Sequence, residues 1–471
     1  MKRLNKLIKC KYNIPIYGIK TNSKEVLSGD LFVAIHGFNI DHHNYINDAI
    51  DKGAVAIISE KKIDTNIPVV IVKNTNKVLP KILSKFYENI EDDFTFIGVT
   101  GTDGKTTTSS LIYQILSKYY ECANIGTNGI YYDDLHITTD NTTPTIEKLY
   151  EYLFLLNRKG CKYITMEASS EALLHKRLDN IKYNVGILTN ITGDHLNIHK
   201  TMTNYIKSKS KLFKTVKNDG FCILNYDDKY VDKIKRSCNG KIITYGINKN
   251  SDYIIEEVII GINNTKFCIK TKSKKYIITT NLLGLYNVYN ITAAFITCLT
   301  LNIKSKDIIK QIESIKPIPG RGERLSFGQS YTIVLDYAHT TNGIKNILST
   351  LSVNKKSRII SVTGSAGGRE KEKRAKMGKI TSNLSDLVIF TMDDPRFEDP
   401  KDIIKEMTKD IKKNNYLKII DRKDAIYKAL TIAKTDDIVV ILGKGRDNYM
   451  AIKDKKIEYS DYDVIKSFFD N

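Results

Sequence analysis

The chain has 471 residues, more than one ordinary hydrophobic core accommodates, so two or three domains are expected. Hydrophobic residues make up 41% and charged residues 27% of the sequence, which is typical of a globular protein and excludes a disordered or membrane-embedded chain. No apolar run approaches the roughly 20 residues that span a bilayer, and the basic amino terminus lacks the apolar segment of a secretory signal. We therefore expect a cytoplasmic protein without a transmembrane segment.

The net charge of +20 is compatible with nucleic-acid binding or with an enzyme that handles anionic metabolites. The lysines are spread along the whole chain, without a dense basic block or interleaved aromatic residues, so we predict that no nucleic acid is bound. The seven cysteines are scattered, and no Cys-x-x-Cys pair indicates a metal or redox centre. Free thiols in a reducing compartment are expected.

Apolar runs of strand length recur along the chain and alternate with helical stretches. In residues 1–92 the runs are short, which predicts a small α/β domain. From residue 93 to residue 320 the runs are typical of strands buried on both faces, and they predict a central, parallel, doubly wound sheet. Residues 240–281 are rich in β-type sequence and are interpreted as an excursion from this domain.

The segment 316–325, KPIPGRGERL, contains two prolines and two glycines and is the predicted linker. Four more buried strands follow it, and each ends in a polar or glycine-rich turn. This pattern predicts a Rossmann-like α/β domain over residues 321–471, with its functional loops at the carboxyl ends of its strands.

A phosphate-binding loop is predicted where TGTDGKTT, residues 100–107, separates a strand from a helix. Glycines permit the tight turn, Lys105 can reach the phosphates, and Thr106 can offer a hydroxyl to Mg²⁺. The spacing G-x-x-x-x-G-K-[ST] would need a glycine at position 99, where Val99 stands, but the strand–loop–helix context is retained. The predicted ATP-binding residues of this loop are Gly101, Thr102, Asp103, Gly104, Lys105, Thr106 and Thr107.

Three further features are weak when each is considered alone. Glu167 ends a predicted buried strand, where its carboxylate would face the phosphate loop and could hold a metal. His195 follows another strand, and a single histidine in that position is usually structural. Lys207, Lys209 and Lys211 alternate in a helical stretch, a pattern that by residue type predicts a solvated face.

Taken together, these segments resemble the Mur ligase family in their order along the chain. Those enzymes, with the related folylpolyglutamate synthases, use ATP to add amino acids. The matching segments are TGTDGKTT, NTTPT (141–145), MEASS (166–170), DHLNIH (194–199), KSKLF (209–213), LLGLYNVYNITAA (282–294), PGRGERL (319–325), DYAHT (336–340) and GKGR (443–446). The resemblance implies three domains: a uridine-binding domain, a central P-loop ATPase-like domain and a carboxyl-terminal domain that binds the incoming amino acid.

The resemblance also implies the nucleotide and metal residues. Lys105 and Thr106 would bind ATP phosphate and Mg²⁺, and Glu167 and His195 would ligate metal, with two Mg²⁺ ions expected. Lys209 would be carbamylated by CO₂, which turns a cation into an anion that can ligate Mg²⁺. Further nucleotide-binding residues implied by the resemblance are Asn287, Arg321, Asp336 and His339.

The closest resemblance within the family is to members that add the third residue of the peptidoglycan stem peptide, so the expected substrates are a UDP-MurNAc-dipeptide and a diamino acid. In the amino-terminal segment, Asn-Ser-Lys stands at residues 22–24 where the family usually has Asp-Ser-Arg. The residues implied for the UDP substrate are Ser23, Thr142, Thr143, Pro144 and Ser169.

The identity of the added amino acid depends on one segment of the third domain. Members that add diaminopimelate carry Asp-Asn-Pro-Arg, and here residues 393–396 read Asp-Asp-Pro-Arg. Arg396 can clamp a carboxylate with two hydrogen bonds, which favours meso-diaminopimelate. The extra carboxylate of Asp394 is expected to offset Arg396 partly, so lysine, ornithine or another acceptor stays open. The implied amino-acid-binding residues are Arg369, Asp393, Asp394, Arg396, Gly443 and Asp447.

Other classes of protein account for less of the sequence. A P-loop kinase or ATPase, or a basic nucleic-acid-binding ATPase, shares the phosphate loop but has no need of Glu167, His195 and Lys209 together. A folylpolyglutamate synthase would lack the uridine domain, and residues 20–60 argue against it. We therefore expect a monomeric ligase of peptidoglycan biosynthesis that activates a carboxylate as an acyl phosphate and joins it to an amine.

Overall fold

The structure is a computed structural model that describes residues 1–37, 40–139, 141–261, 263–353 and 355–470. Its strands form three large sheets of four, eleven and six strands, which follow one another along the chain, and two small two-stranded sheets. Among the described residues, no helix combines the length and the apolar character that a membrane span requires.

The amino-terminal sheet is parallel and has four strands in the order β3-β4-β5-β6. Alternate residues of β4 face opposite sides, so that Phe32 packs with helix α2 while Leu31 and Val33 join a larger cluster with α3. That larger cluster continues into the central sheet. The elements are β1 Lys2–Arg3, α1 Leu4–Leu7, β2 Pro15–Ile16, β3 Ile19–Lys20, β4 Leu31–Val33, α2 Ile46–Asp51, β5 Ala56–Ser59, β6 Val69–Ile71 and α3 Thr75–Phe86.

The central sheet has the order β10-β9-β8-β11-β7-β12-β13-β14-β15-β16-β17. Its middle strands are parallel and buried on both faces: Phe96 of β7 packs against one layer of helices and Ile97 against the other. The strands are β7 Thr95–Thr100, β8 Cys122–Gly126, β9 Gly129–Tyr132, β10 Leu135–Ile137, β11 Tyr163–Glu167, β12 Tyr183–Leu188, β13 Val216–Asn225, β14 Lys241–Gly246, β15 Tyr253–Ile260, β16 Thr265–Lys270 and β17 Lys275–Thr280. The helices are α4 Lys105–Leu116, α5 Ile146–Arg158, α6 Ser170–Leu174, α7 Leu196–His199, α8 Met202–Lys214, α9 Val231–Lys235, α10 Leu285–Thr300 and α11 Ser305–Glu313.

Two features of this sheet refine the sequence prediction. The sheet is not wholly parallel, because β9 and β10 at one edge and β16 and β17 at the other are antiparallel. Residues 240–281, interpreted from the sequence as an excursion from the central domain, extend the central sheet as β14–β17. Strand β7, which carries the phosphate loop, lies between β11 and β12, and their carboxyl ends therefore meet at one edge.

The third sheet has the order β18-β19-β23-β20-β21-β22 and is parallel except for β18. Helices cover both of its faces: Ile333 of β19 packs toward α15 and α16, and Val334 packs toward α12 and α13. The strands are β18 Glu323–Leu325, β19 Thr332–Asp336, β20 Ile359–Thr363, β21 Leu387–Phe390, β22 Tyr416–Lys418, β23 Ile438–Leu442, β24 Tyr449–Ile452 and β25 Lys455–Glu458. The helices are α12 Thr341–Val353, α13 Glu372–Leu384, α14 Pro400–Thr408, α15 Arg422–Ile432 and α16 Asp461–Asp470.

Candidate functional site

A cavity of about 830 Å³ lies between the central sheet and the third sheet, at the carboxyl ends of their strands. Loops at this end of parallel strands are where open α/β sheets bind ligands. The cavity brings together most of the predicted residues from both sheets. Those that line it are Gly101, Thr102, Asp103, Gly104, Lys105, Thr106, Thr107, Thr142, Thr143, Glu167, Ser169, His195, Lys209, Asn287, Arg321, Asp336, His339, Arg369, Arg396 and Asp447.

The phosphate loop joins β7 to α4, and α4 begins at Lys105 with Gly104 at its amino-terminal cap. Gly104 has φ +84°, and a Cβ there would lie 2.5 Å from Asn290 Oδ1, so the turn requires glycine. The free N–H groups of the first turn of α4 form an anion-binding end. Lys105 Nζ donates to the carbonyl oxygens of Gly101 and Thr102 at 3.1 and 2.7 Å, which holds the ammonium group over the loop.

Glu167 lies against this loop because β11 and β7 are neighbouring strands. Its fully buried carboxylate accepts hydrogen bonds from Thr106 Oγ1 at 3.0 Å and from the Thr127 N–H at 2.7 Å. A carboxylate beside a threonine hydroxyl offers the hard oxygen ligands that Mg²⁺ prefers. These donors fit a magnesium ion next to bound phosphate.

Lys209 is buried, whereas its residue pattern taken alone would indicate a solvated lysine face on α8. Its side chain is 1% exposed, its Nζ donates to the Gly101 carbonyl at 2.6 Å, and the ammonium lies 4.5 Å from the centre of the Tyr205 ring. Burial, reinforced by the positive charge of Lys105, lowers the pKa of Lys209 well below its usual value. A neutral amine is the form that reacts with CO₂, so the surroundings of Lys209 fit the carbamate that the resemblance implies.

His195 occupies the amino-terminal cap position of the short helix α7 and lines the same cavity. Its ring nitrogens lie 3.2 Å from Glu171 Oε1 and 3.4 Å from Asp194 Oδ2. Hydrogen bonding to His195 lowers the pKa of Glu171 despite its partial burial. A carboxylate therefore lies near each ring nitrogen of His195, so that one carboxylate could orient the ring while the other nitrogen would turn to a metal.

The third sheet reaches the phosphate loop directly. Arg321 of the linker segment donates to Thr106 Oγ1 at 2.9 Å, and Thr340 Oγ1 donates to Asp103 Oδ1 at 3.2 Å. Asn342 donates to the same carboxylate at 3.3 Å. Sequence reasoning gave no role to Thr340, which ends the DYAHT segment, or to Asn342, because their contacts with Asp103 cross more than 200 positions.

A second contact between the sheets lies beside His195. Lys373 Nζ donates to Asp194 Oδ1 at 2.8 Å, and the Leu196 N–H donates to Glu370 Oε1. Glu370 directly follows Arg369, one of the residues implied for the amino acid. The loop that contains His195, a predicted metal ligand, is thus held against the loop that contains Arg369, a residue predicted to bind the amino acid.

The loops after β21 and β23 form the wall of the cavity predicted for the amino acid. Arg396, with φ +52°, lines the cavity, whereas Asp394 pairs with Lys444 at 2.8 Å. The Asp394 carboxylate, expected to offset Arg396, thus lies against Lys444, a residue of the GKGR segment to which sequence reasoning gave no role. Burial and the carboxylates of Asp393 and Asp394 raise the pKa of Asp447 to about 7.

Gly443 lies at the end of β23 and has φ +115°. Its lack of a side chain lets the Asp393 carboxylate approach closely, because a Cβ there would lie 2.6 Å from Asp393 Oδ2.

A second cavity of about 940 Å³ adjoins the first and extends to the amino-terminal sheet. Ser23 and Pro144 line this cavity, whereas Thr142, Thr143 and Ser169 line the first. Thr143 Oγ1 donates to the Glu167 carbonyl at 2.7 Å, which ties this segment to the end of β11. The five residues implied for the UDP substrate thus lie along a path between the two cavities, which share the lining residues Thr138, Thr139, Asn141, Glu171 and Arg177.

Comparison with protein-family models identifies the same three regions. Residues 15–90 match the "Mur ligase family, catalytic domain", residues 99–298 match the "Mur ligase middle domain", and residues 320–445 match the "Mur ligase, glutamate ligase domain". The chain belongs to the Mur ligase family.

Similar proteins cover the chain from end to end. The UDP-N-acetylmuramoyl-L-alanyl-D-glutamate–2,6-diaminopimelate ligase of Clostridium tetani is 37% identical over 100% of this chain and 99% of its own length. The ligase of the same name from Clostridium botulinum is 38% identical over 95% of this chain and 94% of its own. A solved structure of a ligase of that name has a TM-score of 0.70 and 27% identity, and covers 100% of this chain and 99% of its own.

Proposed function

We propose that this chain is an ATP-dependent ligase that joins a diamino acid, meso-diaminopimelate, to the D-glutamate of UDP-N-acetylmuramoyl-L-alanyl-D-glutamate in peptidoglycan biosynthesis. The observation that carries the proposal is the single cavity in which the phosphate loop and Glu167 of the central sheet face Arg396 and Asp447 of the third. Relatives of that name, similar over the full chain, support the choice of substrates.

The proposed chemistry proceeds in two steps. The D-glutamate side-chain carboxylate attacks the γ-phosphorus of ATP, forming an acyl phosphate and releasing ADP. The amine of the diamino acid then attacks the acyl carbon, and inorganic phosphate leaves with one oxygen of the original carboxylate. Lys105 and the amino terminus of α4 hold the phosphates, and Arg321 adds a positive charge beside Thr106.

Two Mg²⁺ ions are part of the proposal, held by Thr106, Glu167, His195 and carbamylated Lys209. When bound, they neutralise charge on the phosphates. The protein's own residues are arranged for this, because Glu167 and Thr106 are in contact, and because His195 and Lys209 line the same cavity.

The parts of the chain take separate roles in this proposal. Residues 1–92 bind the UDP moiety in the second cavity, residues 93–320 bind ATP and the dipeptide carboxylate, and residues 321–471 bind the amino acid. A folylpolyglutamate synthase would have no use for a domain that binds a UDP moiety, whereas residues 1–92 of this chain form a four-stranded sheet beside the second cavity. The solved folylpolyglutamate synthase of Mycobacterium tuberculosis covers 77% of this chain at 13% identity, with a TM-score of 0.64.

The proposed function is tested by measuring ADP and phosphate release while one component is omitted at a time. We expect release only when ATP, Mg²⁺, the UDP-MurNAc-dipeptide and meso-diaminopimelate are all present, with a UDP-MurNAc-tripeptide as product. Lysine and ornithine are assayed in parallel as alternative acceptors. Release that is independent of the UDP substrate would contradict the proposal and indicate an ATPase or kinase.

A further inference from the structure

A buried lysine lies at the centre of three carboxylates behind the proposed amino-acid pocket. Lys444 Nζ is 2.8 Å from Asp394 Oδ1, 3.7 Å from Asp447 Oδ2 and 4.0 Å from Asp393 Oδ1. The lysine side chain is 1% exposed, so its charge is balanced by these carboxylates and not by water.

Asp394 is fixed in this arrangement by a second contact. Its Oδ1 also accepts a hydrogen bond from the Ala451 N–H at 3.0 Å. A carboxylate held in this way keeps its orientation toward the position of Lys444 Nζ even when the lysine is replaced. Without Lys444, the carboxylates of Asp393, Asp394 and Asp447 would surround a space shaped for an ammonium group.

The side of the pocket that faces the cavity carries a different set of charges. Arg369, Arg396 and Asp447 line the cavity, which provides two guanidinium groups and one carboxylate. A side chain that ends in both an ammonium and a carboxylate satisfies Asp447 and an arginine at once. A lysine side chain ends only in an ammonium. Lysine therefore competes better with the doubly charged acceptor when the negative charge of the pocket increases.

We propose that Lys444 sets the specificity of this pocket: by neutralising Asp394, it prevents that aspartate from attracting the side-chain ammonium of lysine, and it keeps the site selective for an acceptor whose side chain ends in both charges. This inference rests on the proposed function, because it concerns the choice of acceptor at the same site. Lys444 acts through Asp394 and is a positioning residue that does not itself contact the acceptor.

The proposal is tested with variants that change the charges singly and together: Lys444→Met, Asp394→Asn and the double variant. The measured quantity is the ratio of kcat/KM for meso-diaminopimelate to kcat/KM for lysine. We expect Lys444→Met to lower this ratio about 10-fold or more through the two KM values, because the unpaired negative charge of Asp394 attracts the ammonium of either acceptor but repels the distal carboxylate that only meso-diaminopimelate carries. The KM for ATP should not change.

The double variant makes the test specific to charge. It removes one positive and one negative charge together, so we expect it to restore the ratio to within about 3-fold of the wild-type value. Lys444→Arg, which keeps the charge, should retain the preference for meso-diaminopimelate. The matched control is Lys409→Met, which removes an exposed lysine at the carboxyl end of α14 and should leave the ratio unchanged.

Two results would overturn the inference. The first is a folded Lys444→Met variant whose kcat/KM ratio equals that of the wild type, and the second is a double variant that prefers meso-diaminopimelate no more than Lys444→Met does. If Lys444→Met does not fold, the double variant and Lys444→Arg test the inference instead. Loss of the preference for meso-diaminopimelate in both variants would contradict the charge argument. ADP release with no acceptor at all would contradict the proposed function separately. In that case, calorimetry measures how tightly meso-diaminopimelate and lysine bind to the same variants. We expect the ratio of the two affinities to change among the variants in the same order as the kinetic ratio.

Discussion

Among the single residues of the site, Lys209 has the surroundings that differ most from those its sequence suggests. A lysine in an alternating lysine run is ordinarily solvated, but this side chain is buried against Gly101 and Tyr205. Burying a charged ammonium is costly, and the proposed conversion to a carbamate next to metal ions would remove that cost. The neighbouring Lys211 instead donates to the backbone carbonyl of Leu173 at 2.8 Å.

We predict that Lys209→Ala abolishes ligation and that added short carboxylates such as formate or acetate partly restore it, because they replace the missing anion. Steady-state ADP release measured with and without the carboxylate checks this. The matched control, Lys211→Ala, should remain active. Full activity of Lys209→Ala without any additive would contradict the role of the carbamate.

Arg396 is the second residue whose role is decided by a single substitution. We predict that Arg396→Ala raises the KM for meso-diaminopimelate by roughly 10²-fold or more, since losing one partner of a buried arginine–carboxylate pair costs about 3–5 kcal/mol. The KM for lysine, which has no distal carboxylate, should change little. Equal changes for the two amino acids in side-by-side kinetics would show that Arg396 does not recognise the distal carboxylate.

At the scale of elements, the loops of the proposed amino-acid pocket are held by buried ion pairs in the third sheet. Arg374 of α13 is fully buried and donates to Glu398 and Glu406, and Glu398 also accepts from the Gly368 N–H at 2.6 Å. Glu398 thereby joins the loop that precedes α13 to the loop that contains Arg396. The Arg374 guanidinium lowers the pKa of Glu398 to about 2.

This pairing predicts a pH-dependent contribution to stability. Because the pKa of Glu398 is lower in the folded state than its usual value near 4.5, the stabilisation is fully present above that pH and is lost as the pH falls toward 2. We predict that Glu398→Gln is less stable than wild type by about 1–3 kcal/mol at pH 7. The difference should narrow between pH 5 and pH 3 in thermal melts, and a constant difference would contradict the assignment. Glu458→Gln, at an exposed position of β25, is the control.

The elements also show what the sequence could and could not predict. Strands such as β7 and β12 were predictable because continuous apolar runs between glycine-rich turns indicate burial on both faces. The antiparallel edge strands β9 and β10 are short and lack that signal. The pair between Asp394 and Lys444 depends on the order of strands in the third sheet, where β20 separates β21 from β23, and no local pattern encodes that order.

In the molecule as a whole, the described residues join the third sheet to the central sheet through the linker and through polar contacts such as those of Arg321 with Thr106 and of Lys373 with Asp194. Gly320 and Gly322 of that linker have φ +69° and +61°, and Glu323 forms a two-fold hydrogen-bonded pair with Arg446 at 2.9 and 2.6 Å. The linker is thus anchored to the third sheet, and glycines lie where the chain changes direction. A linker of this kind is suited to rotation of the third sheet as a unit relative to the central sheet.

We predict that closure accompanies ligand binding. The radius of gyration from small-angle scattering should decrease when a nonhydrolysable ATP analogue and both substrates are present. Lys373→Met, which removes the contact with Asp194, should show less compaction, because one of the contacts between the sheets is lost. The exposed-lysine variant Lys409→Met serves as control, and an unchanged radius in the wild-type protein with all ligands would contradict closure.

In the proposed reaction, residues of one cavity activate the D-glutamate carboxylate as an acyl phosphate and transfer the acyl group to an amine. The most direct measurement uses a UDP-MurNAc-dipeptide labelled with ¹⁸O in the side-chain carboxylate of D-glutamate, followed by mass spectrometry of the phosphate and the product. We predict one ¹⁸O atom in the inorganic phosphate for each tripeptide formed, with ADP as the nucleotide product. Unlabelled phosphate, or AMP as the nucleotide product, would contradict it.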